Sequence, residues 1–408
     1  MIKRIFKYKD HADFRYIFRS GQYKLYKALF QFLTSFILTW VLANFTSKEY
    51  FGNYKFALSI LGMLFILSLP GMKDAILQSV ARGHDYSFIA GTKKAMRFSL
   101  LGSLALISIS AYYLVIGKTE FGFVLIVCAI FFPFFHTLDG GYVFLSAKQN
   151  FKKELIYYAL VTSFMTVSVL LCLYVFGENL IAFMIVFFSS QSLLHLYYYL
   201  KFKSGIVKSK EDKGLFSFGW FLTKISGLMQ IANYIDQFVV GLLLGPVDLA
   251  IYFIGIMAPN KMKAAISPVF YTLYPRFSTG KMKLTTKKVL VIFVGSCLIS
   301  LILVAAIPVF IKVLFSEFTD SIIYGQVFSA ALLFIPLNIV FGLFFRAMKE
   351  KGAIQNPIVI SRVSTIILVF PSLYLFGIFG LIVVKVIEQA LNLIVNLFYF
   401  VRLNRIPA

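Results

Sequence analysis

Long apolar runs, separated by short polar connections, fill most of this chain of 408 residues. Twelve runs can be delimited, at 29–45, 56–70, 98–116, 121–141, 155–176, 180–200, 216–244, 249–277, 289–315, 322–345, 357–376 and 378–401. Most reach the ~20 residues that an α-helix needs to cross a ~30 Å hydrocarbon core. The pattern therefore predicts an all-α integral membrane protein with about twelve transmembrane helices. Charges and prolines interrupt the second and eighth runs, whose ends are the least defined.

The Lys and Arg residues fall almost entirely in every second connection between the runs. The segment before the first run, the connections after the second, fourth, sixth, eighth and tenth runs, and the segment after the last run together hold 31 of the 40 basic residues. The opposite side holds only Lys48, Lys55, Lys118 and Lys312. Short loops rich in Lys and Arg stay in the cytoplasm, so both termini are predicted to be cytoplasmic.

The formal net charge of +23 could suggest a nucleic-acid-binding protein, but the topology rule already accounts for it. We expect no nucleic-acid partner, and we expect the basic face to contact anionic phospholipids. In residues 1–22 cations alternate with Ile and Phe, which predicts a cytoplasmic amphipathic segment lying in the membrane interface.

The polar segment 201–214 separates six runs from the next six. We predict an N-terminal six-helix bundle at 23–200, a cytoplasmic linker at 201–214 and a C-terminal six-helix bundle at 215–408. An even number of spans in each half gives both halves the same orientation, as in a parallel internal repeat.

A short motif recurs in the two halves. Residues 51–54 (Phe-Gly-Asn-Tyr) end 16 positions before Pro70, and residues 249–252 (Leu-Ala-Ile-Tyr) end 16 positions before Pro268. Proline bends a helix by removing a backbone hydrogen bond, so Pro70 and Pro268 are candidate hinges. The alternative is a chance match, since proline is common in membrane helices.

Several kinds of chemistry are missing from the sequence. No phosphate-binding loop of the form G-x-x-x-x-G-K-S/T occurs, and the four histidines are scattered. The connections on the outer side are too short to hold the donor and acceptor of a polymerase or ligase. The three cysteines each lie within a run, where a thiol behaves as a small apolar side chain. We expect a transporter without catalytic residues, disulfide, metal or cofactor.

Further motifs lie on either side of the second run, within the seventh run and directly after it. They are 49–54 (Glu-Tyr-Phe-Gly-Asn-Tyr), 71–75 (Gly-Met-Lys-Asp-Ala), 81–83 (Ala-Arg-Gly), Asp236 within 233–237, and 245–252. Together with the six-plus-six plan, they resemble O-antigen-type lipid-linked oligosaccharide flippases, polysaccharide-biosynthesis proteins of the multidrug/oligosaccharidyl-lipid/polysaccharide (MOP) exporter superfamily. The major facilitator class shares the plan, but its usual G-x-x-x-D-R-x-G-R-R signature is incomplete at 71–75, which lacks the Arg after the acid.

The resemblance implies a MATE-like fold, two bundles around a cationic central cavity, and alternating access. The implied activity is translocation of undecaprenyl-pyrophosphate-linked repeat units to the outer leaflet of the bacterial inner membrane, for polysaccharides such as the O-antigen of lipopolysaccharide. The implied partners are the lipid-linked oligosaccharide (a polyprenyl pyrophosphate) and, as further candidates, polysaccharide polymerase and chain-length proteins. Two alternatives stay open: a cation-coupled small-molecule or drug antiporter of the same superfamily, and a non-transporting scaffold of a glycan-assembly complex.

A pyrophosphate cargo needs a cationic cavity, and charge within a bilayer usually faces a wet cavity or a partner. The candidate cations are Lys24, Lys27, Lys55, Lys224, Lys261, Lys263, Arg362 and Lys385. Lys261 and Lys263 are favoured because they lie well inside the eighth run. For Lys24, Lys27, Lys55 and Arg362 the alternative is snorkelling to the interface, and for Lys385 it is a helix pair with Glu388.

Acidic residues within the runs form a second group of candidates. Asp236 lies near mid-membrane, where it is expected to pair with a cavity lysine or to exchange a proton or Na⁺ during transport. Pairing is favoured because buried charges are usually paired. Glu388 is a further ion-pair or coupling candidate. Asp139 either joins this group or serves only as a helix-end residue.

Overall fold

The structure, a computed structural model, describes residues 12–206, 212–278, 282 and 284–404. Of these, the side chains of 12–20, 225, 228, 275 and 404 are not described. The helices are α1 (Ala12–Phe45), α2 (Lys48–Leu64), α3 (Gly71–Ala81), α4 (Tyr86–Val115), α5 (Thr119–Thr137), α6 (Gly141–Ala147), α7 (Phe151–Phe176), α8 (Leu180–Ser204), α9 (Leu215–Leu243), α10 (Pro246–Tyr271), α11 (Tyr274–Ser278), α12 (Thr286–Leu314), α13 (Ile322–Ser329), α14 (Ile335–Met348) and α15 (Lys351–Asn404). Short 3₁₀ turns link α2 to α3, α5 to α6, α12 to α13 and α13 to α14.

The helices have the length and composition of membrane spans. Within the described residues, nine segments are long and apolar enough to cross a bilayer. The last of them, 351–403, contains two helices, because Gly377 has non-helical torsions (φ 59°, ψ −152°). Helices α9 and α10, of 29 and 26 residues, are also long enough to span. The predicted all-α membrane fold is confirmed.

Apolar side chains point outward along the spans. On α12, Leu290, Leu301 and Val309 are 61%, 66% and 63% exposed. An apolar face of this extent is unfavourable in water but suits contact with lipid tails. This chain is therefore a multi-pass membrane protein.

Local sequence explains where several helices begin and end. Asn150 and Asn179 cap α7 and α8, accepting hydrogen bonds from the backbone N–H groups of residues 153 and 182 at 3.3 and 2.9 Å. Helix α10 starts with Pro246, which needs no N–H partner in the first turn. The preceding Gly245 has φ +98°, a conformation that favours glycine.

The chain forms two compact units. Unit 1 contains residues up to Thr46 and Ile60–Ile231, and unit 2 contains Ser47–Ser59 and the residues from Ala232 onward. The first twelve residues of α2 are therefore part of unit 2. The bundle boundaries expected from the sequence, 23–200 and 215–408, remain predictions. Residues 1–11 of the expected amphipathic segment and 207–211 of the expected linker lie outside the described residues.

In unit 1, α4 packs along α5, α1 packs on α7, and α8 packs against α5 and α7. A buried core near α3 includes Met72, Ile76, Phe88 and Leu138. In unit 2, α10 packs on α13 and α14, and α14 packs on α15. The core of unit 2 is rich in phenylalanine, with Phe341 and Phe345 of α14 fully buried.

Helices α2 and α3 are separated by a sharp break. Leu69 is left-handed (φ 54°), Pro70 follows, and the N–H of Gly71 donates to Thr223 Oγ1 at 3.1 Å. A Cβ at Gly71 would lie 2.3 Å from the backbone nitrogen of Thr223. The small residue thus allows α3 to approach the first half of α9 closely.

Candidate functional site

A buried ion pair lies in the middle of unit 2. The ammonium of Lys385, in the second part of α15, pairs with Oδ2 of Asp236 in α9. The Tyr252 hydroxyl of α10 donates to the same oxygen at 2.5 Å. Asp236 is fully buried, and its Oδ1 has no hydrogen-bonding partner among the described residues. The charge of Asp236 is thus held by two donors from two other helices.

A second ion pair lies one helical turn further along α15. Glu388 is 4% exposed and accepts from Arg362 of the first part of α15, with an Nη1 to Oε1 distance of 3.2 Å. The ammonium of Lys263 in α10 lies within electrostatic range of Arg362, Glu388 and Lys385. Lys385 and Glu388 therefore take partners from other segments rather than from each other.

Lys55 of α2 is buried among aromatic rings. Its ammonium lies 3.7 Å from the ring centroid of Phe253 and slightly over 5 Å from those of Phe51 and Tyr54. Cation–π attraction compensates part of the cost of burying this charge. Lys261 of α10 lies within electrostatic range of Lys55, and their like charges repel.

These side chains form two sets of electrostatic neighbours in unit 2, related by Lys261 and Lys263 on the same helix, and we call them together the cationic cluster: Lys55 and Lys261 in one set, and Asp236, Lys263, Arg362, Lys385 and Glu388 in the other. Five cations against two carboxylates leave a formal charge of +3. All seven belong to unit 2 and come from α2, α9, α10 and both parts of α15. An excess of positive charge within membrane helices is costly, and it favours an anionic ligand.

The first copy of the sequence motif contacts residues that flank the second copy on α10. A Cβ on Gly52 would lie 1.8 Å from the carbonyl oxygen of Pro246, so only glycine allows this approach of α2 to the start of α10. The rings of Phe51 and Phe253 stand edge to face with centroids 5.8 Å apart. The contact brings Lys55 near Lys261, and the positions of these two lysines in the sequence do not predict that they are close.

The candidate hinges have different surroundings. Pro70 precedes α3 directly at the break after α2, whereas Pro268 lies within the last turn of the continuous helix α10. Lys261 and Lys263 lie between Pro259 and Pro268 on α10. The hinge role of both prolines stays a prediction.

Lys24 and Lys27 of α1 lie in unit 1, where they share a buried carboxylate. Glu154 of α7 accepts from Lys27 at 2.7 Å and lies 3.5 Å from Lys24. The Ser146 hydroxyl also donates to Glu154, at 2.6 Å. Lys27 lies about 5 Å from the ring centroids of Tyr142 and Tyr158. The structure thus gives these two lysines a partner of their own.

The other unit 1 candidates also contact residues of unit 1. Asp139, in the 3₁₀ turn after α5, pairs with Lys73 of α3 at 2.7 Å. Lys224 is exposed and lies over the ring of Trp220, one turn earlier on α9.

Sequence reasoning missed three polar partners. Glu154 precedes the fifth apolar run by one residue and was therefore assigned to a connection, as was Lys73, beyond the second run. Tyr252 stood out only as a repeated motif residue. The sequence offers one signal for Glu154: it is an acidic residue that directly follows Lys152 and Lys153, on the side of the membrane that also holds the lysines before the first run.

Comparison with known proteins now gives the class. A family model described as polysaccharide biosynthesis protein matches residues 21–281, more than half of the chain. The chain belongs to this polysaccharide biosynthesis family. A search among curated protein sequences found no match.

Solved transporters share the fold. An inward-facing multidrug resistance MATE family transporter of the MOP superfamily is 14% identical, with a TM-score of 0.64 and 93% of each chain covered. The eukaryotic MATE transporter AtDTX14 is 15% identical, with a TM-score of 0.63 over 95% of this chain and 94% of the other. The chain thus has the fold of MATE transporters, and the matched family confirms the resemblance to polysaccharide-biosynthesis proteins drawn from the sequence.

Proposed function

We propose that this protein is a flippase that moves polyprenyl-pyrophosphate-linked oligosaccharide repeat units from the cytoplasmic to the outer leaflet of a bacterial inner membrane. Alternating access carries the cargo across, and both termini lie in the cytoplasm. The observation that carries the proposal is the formal charge of +3 on the cationic cluster within the spans of a polysaccharide biosynthesis protein.

The cluster suits a pyrophosphate because some of its cations form salt bridges with carboxylates and others do not. Lys385 and Arg362 have carboxylate partners, whereas no salt bridge joins Lys55 or Lys263 to an acid among the described residues. Lys55 lies within electrostatic range of the cation Lys261, and Lys263 lies within range of the cations Arg362 and Lys385. A diphosphate brings negative charge to Lys55, Lys261 and Lys263 and offsets the repulsion between neighbouring cations. The paired residues hold the helices while the three lysines bind the cargo.

An antiporter for cationic drugs fits this geometry less well. A cation entering the cluster meets five positive side chains and two carboxylates, each already paired. Its binding is opposed by electrostatic repulsion that an anionic cargo does not encounter. A scaffold without transport has no use for an excess of positive charge inside its spans.

The first experiment is deletion of the gene, with quantification of lipid-linked repeat units on the cytoplasmic leaflet. The proposal expects accumulation that the intact chain reverses and that a Lys261→Gln/Lys263→Gln variant leaves in place. The matched control is Lys118→Gln/Lys312→Gln, which removes the same charge from two exposed sites. Equal membrane levels of all variants must be verified by immunoblot.

Unchanged lipid-linked glycan after deletion, with altered sensitivity to cationic compounds, overturns the flippase proposal in favour of the antiporter. Full complementation by the Lys261→Gln/Lys263→Gln variant is consistent with a flippase. It shows, however, that the cargo does not bind at the cationic cluster. Retained partner binding with no effect on glycan transport indicates the scaffold.

A further inference from the structure

A second polar site lies in unit 2, in a cavity of about 110 Å³ that is open on one side. It lies between the end of α10, helix α14 and both parts of α15. Its polar lining consists of Tyr271, Asn338, Arg346, Asn392 and Asn396, and Gly342 forms part of its wall. The lining shares no residue with the cationic cluster. The volume exceeds the roughly 30 Å³ that one water molecule occupies in the liquid, so a small polar ligand fits.

The three asparagines form a connected chain of amides. The amide nitrogen of Asn396 donates to the Oδ1 atoms of Asn338 and Asn392 at 3.0 and 2.8 Å. The amide nitrogen of Asn338 donates to the backbone carbonyl of Gln389 at 2.9 Å. These bonds fix the orientation of each side-chain amide. Three asparagines between membrane helices are costly unless their polar atoms find partners.

The three linked asparagine amides leave one donor group and one acceptor group for a ligand. Among the described residues, Nδ2 of Asn392 and Oδ1 of Asn396 make no hydrogen bond. A hydroxyl group both donates and accepts, so a pair of adjacent hydroxyls matches what the amides offer. The amides therefore favour a polyol over an apolar or purely anionic ligand.

Arg346 supplies charge at the same cavity. It lies in the last turn of α14 and is exposed, and it has no salt bridge within the described part of the chain. A guanidinium presents donors in a planar fork that matches the oxygens of a phosphate. The cavity thus combines a phosphate-binding cation with hydroxyl-binding amides.

We propose that this cavity binds a phosphorylated polyol, with Arg346 on the phosphate and the asparagine amides on the hydroxyls. Two membrane components share this chemistry: the glycerol phosphate headgroup of phosphatidylglycerol and the sugar phosphate of a polyprenyl-linked glycan. The site is additional to the cationic cluster, so its failure leaves the proposed function untouched.

Gly342 allows a direct test, because a Cβ added there meets no atom within 4 Å. A Gly342→Leu side chain can therefore enter the cavity without displacing the packing. Gly295 of α12 is equally unobstructed and does not line the cavity, so Gly295→Leu is the matched control. Arg346→Gln removes the charge with little change of shape, which keeps the proposal testable if Gly342→Leu fails to fold.

The measurement is native mass spectrometry of the full chain in detergent, titrated with phosphatidylglycerol, with a polyprenyl-phosphate-linked monosaccharide, and with phosphatidylethanolamine, which has a phosphate but no free diol. We expect phosphatidylglycerol or the sugar phosphate to bind at least tenfold more tightly than phosphatidylethanolamine. Gly342→Leu and Arg346→Gln should each abolish that preference, and Gly295→Leu should retain it.

The probes distinguish the two sources. Loss of binding by the Gly342→Leu variant for phosphatidylglycerol alone assigns the site to a lipid headgroup, and loss for the sugar phosphate alone assigns it to a glycan. Loss for both supports the shared chemistry. Equal binding of all three probes, or a preference that survives Gly342→Leu in folded protein, overturns the proposal.

Discussion

Lys385 and Asp236 are 149 positions apart in the chain, and their side chains form an ion pair in the interior of unit 2. The exposed fractions of the two side chains are 16% and 1%. Removing either partner leaves a charge with poor compensation, and this costs about 3–5 kcal/mol when the pair is fully buried. Replacing both by apolar residues of similar size leaves no buried charge without a partner, so this cost does not arise.

A double-mutant cycle tests this pair. We expect Asp236→Leu and Lys385→Met each to lower the unfolding temperature of the purified protein strongly, and the double variant to be more stable than the sum predicts by at least about 2 kcal/mol. Loss of the hydrogen bond from Tyr252 occurs in both the single and the double Asp236 variants, so it cancels in the cycle. Strict additivity of the two effects contradicts a coupled pair.

Lys55 should show opposite effects on stability and on transport. Its ammonium is buried among three rings without a carboxylate partner in the described residues, and burial of an ammonium costs more than the roughly 2 kcal/mol of a desolvated cation–π contact. We expect Lys55→Met to stabilise the protein by about 1–3 kcal/mol and to lower the rate of lipid-linked glycan transport in vesicles.

Thermal unfolding and transport are measured on the same preparation, with the exposed Lys118→Met as the control. A Lys55→Met protein that is less stable than the parent shows that the lysine has a structural role. Unchanged transport removes Lys55 from the cargo site.

Gly52 should tolerate no side chain. The Cβ of an alanine would lie 1.8 Å from the carbonyl oxygen of Pro246, so α2 and α10 must move apart. We expect Gly52→Ala to destabilise the protein by about 1–3 kcal/mol or more. Gly21→Ala is the matched control, because nothing lies within 4 Å of its Cβ and alanine has the higher helix propensity, by up to about 1 kcal/mol. Similar melting temperatures of the two variants would refute the close contact.

Glu154 should be required for the stability of unit 1. Glu154→Gln removes the negative charge that Lys27 and Lys24 share. We expect a loss of about 1–3 kcal/mol, less than for a fully buried pair, because the Lys27 side chain is 23% exposed. Glu120→Gln, at an exposed glutamate in the first turn of α5, serves as the control for thermal unfolding in detergent. An unchanged melting temperature for Glu154→Gln contradicts this role.

The sequence by itself determined the class of fold and the general kind of site. Membrane helices must satisfy their backbone hydrogen bonds internally, so long apolar runs predict spans directly, and the break at Gly377 follows from two adjacent runs. Charged residues inside or directly beside such runs are costly, which is why Lys55, Asp236, Lys261, Lys263, Arg362, Lys385 and Glu388 could be selected as candidates one by one.

Tertiary structure alone decided which of these residues meet. The pairs Asp236 with Lys385 and Arg362 with Glu388 join distant segments of unit 2, and Lys24 and Lys27 share Glu154 within unit 1. The amide chain of Asn338, Asn392 and Asn396 likewise has no sequence signal. A cost of burial is a property of each residue and its depth, whereas a partner is set by the helix packing that brings two distant residues within 4 Å.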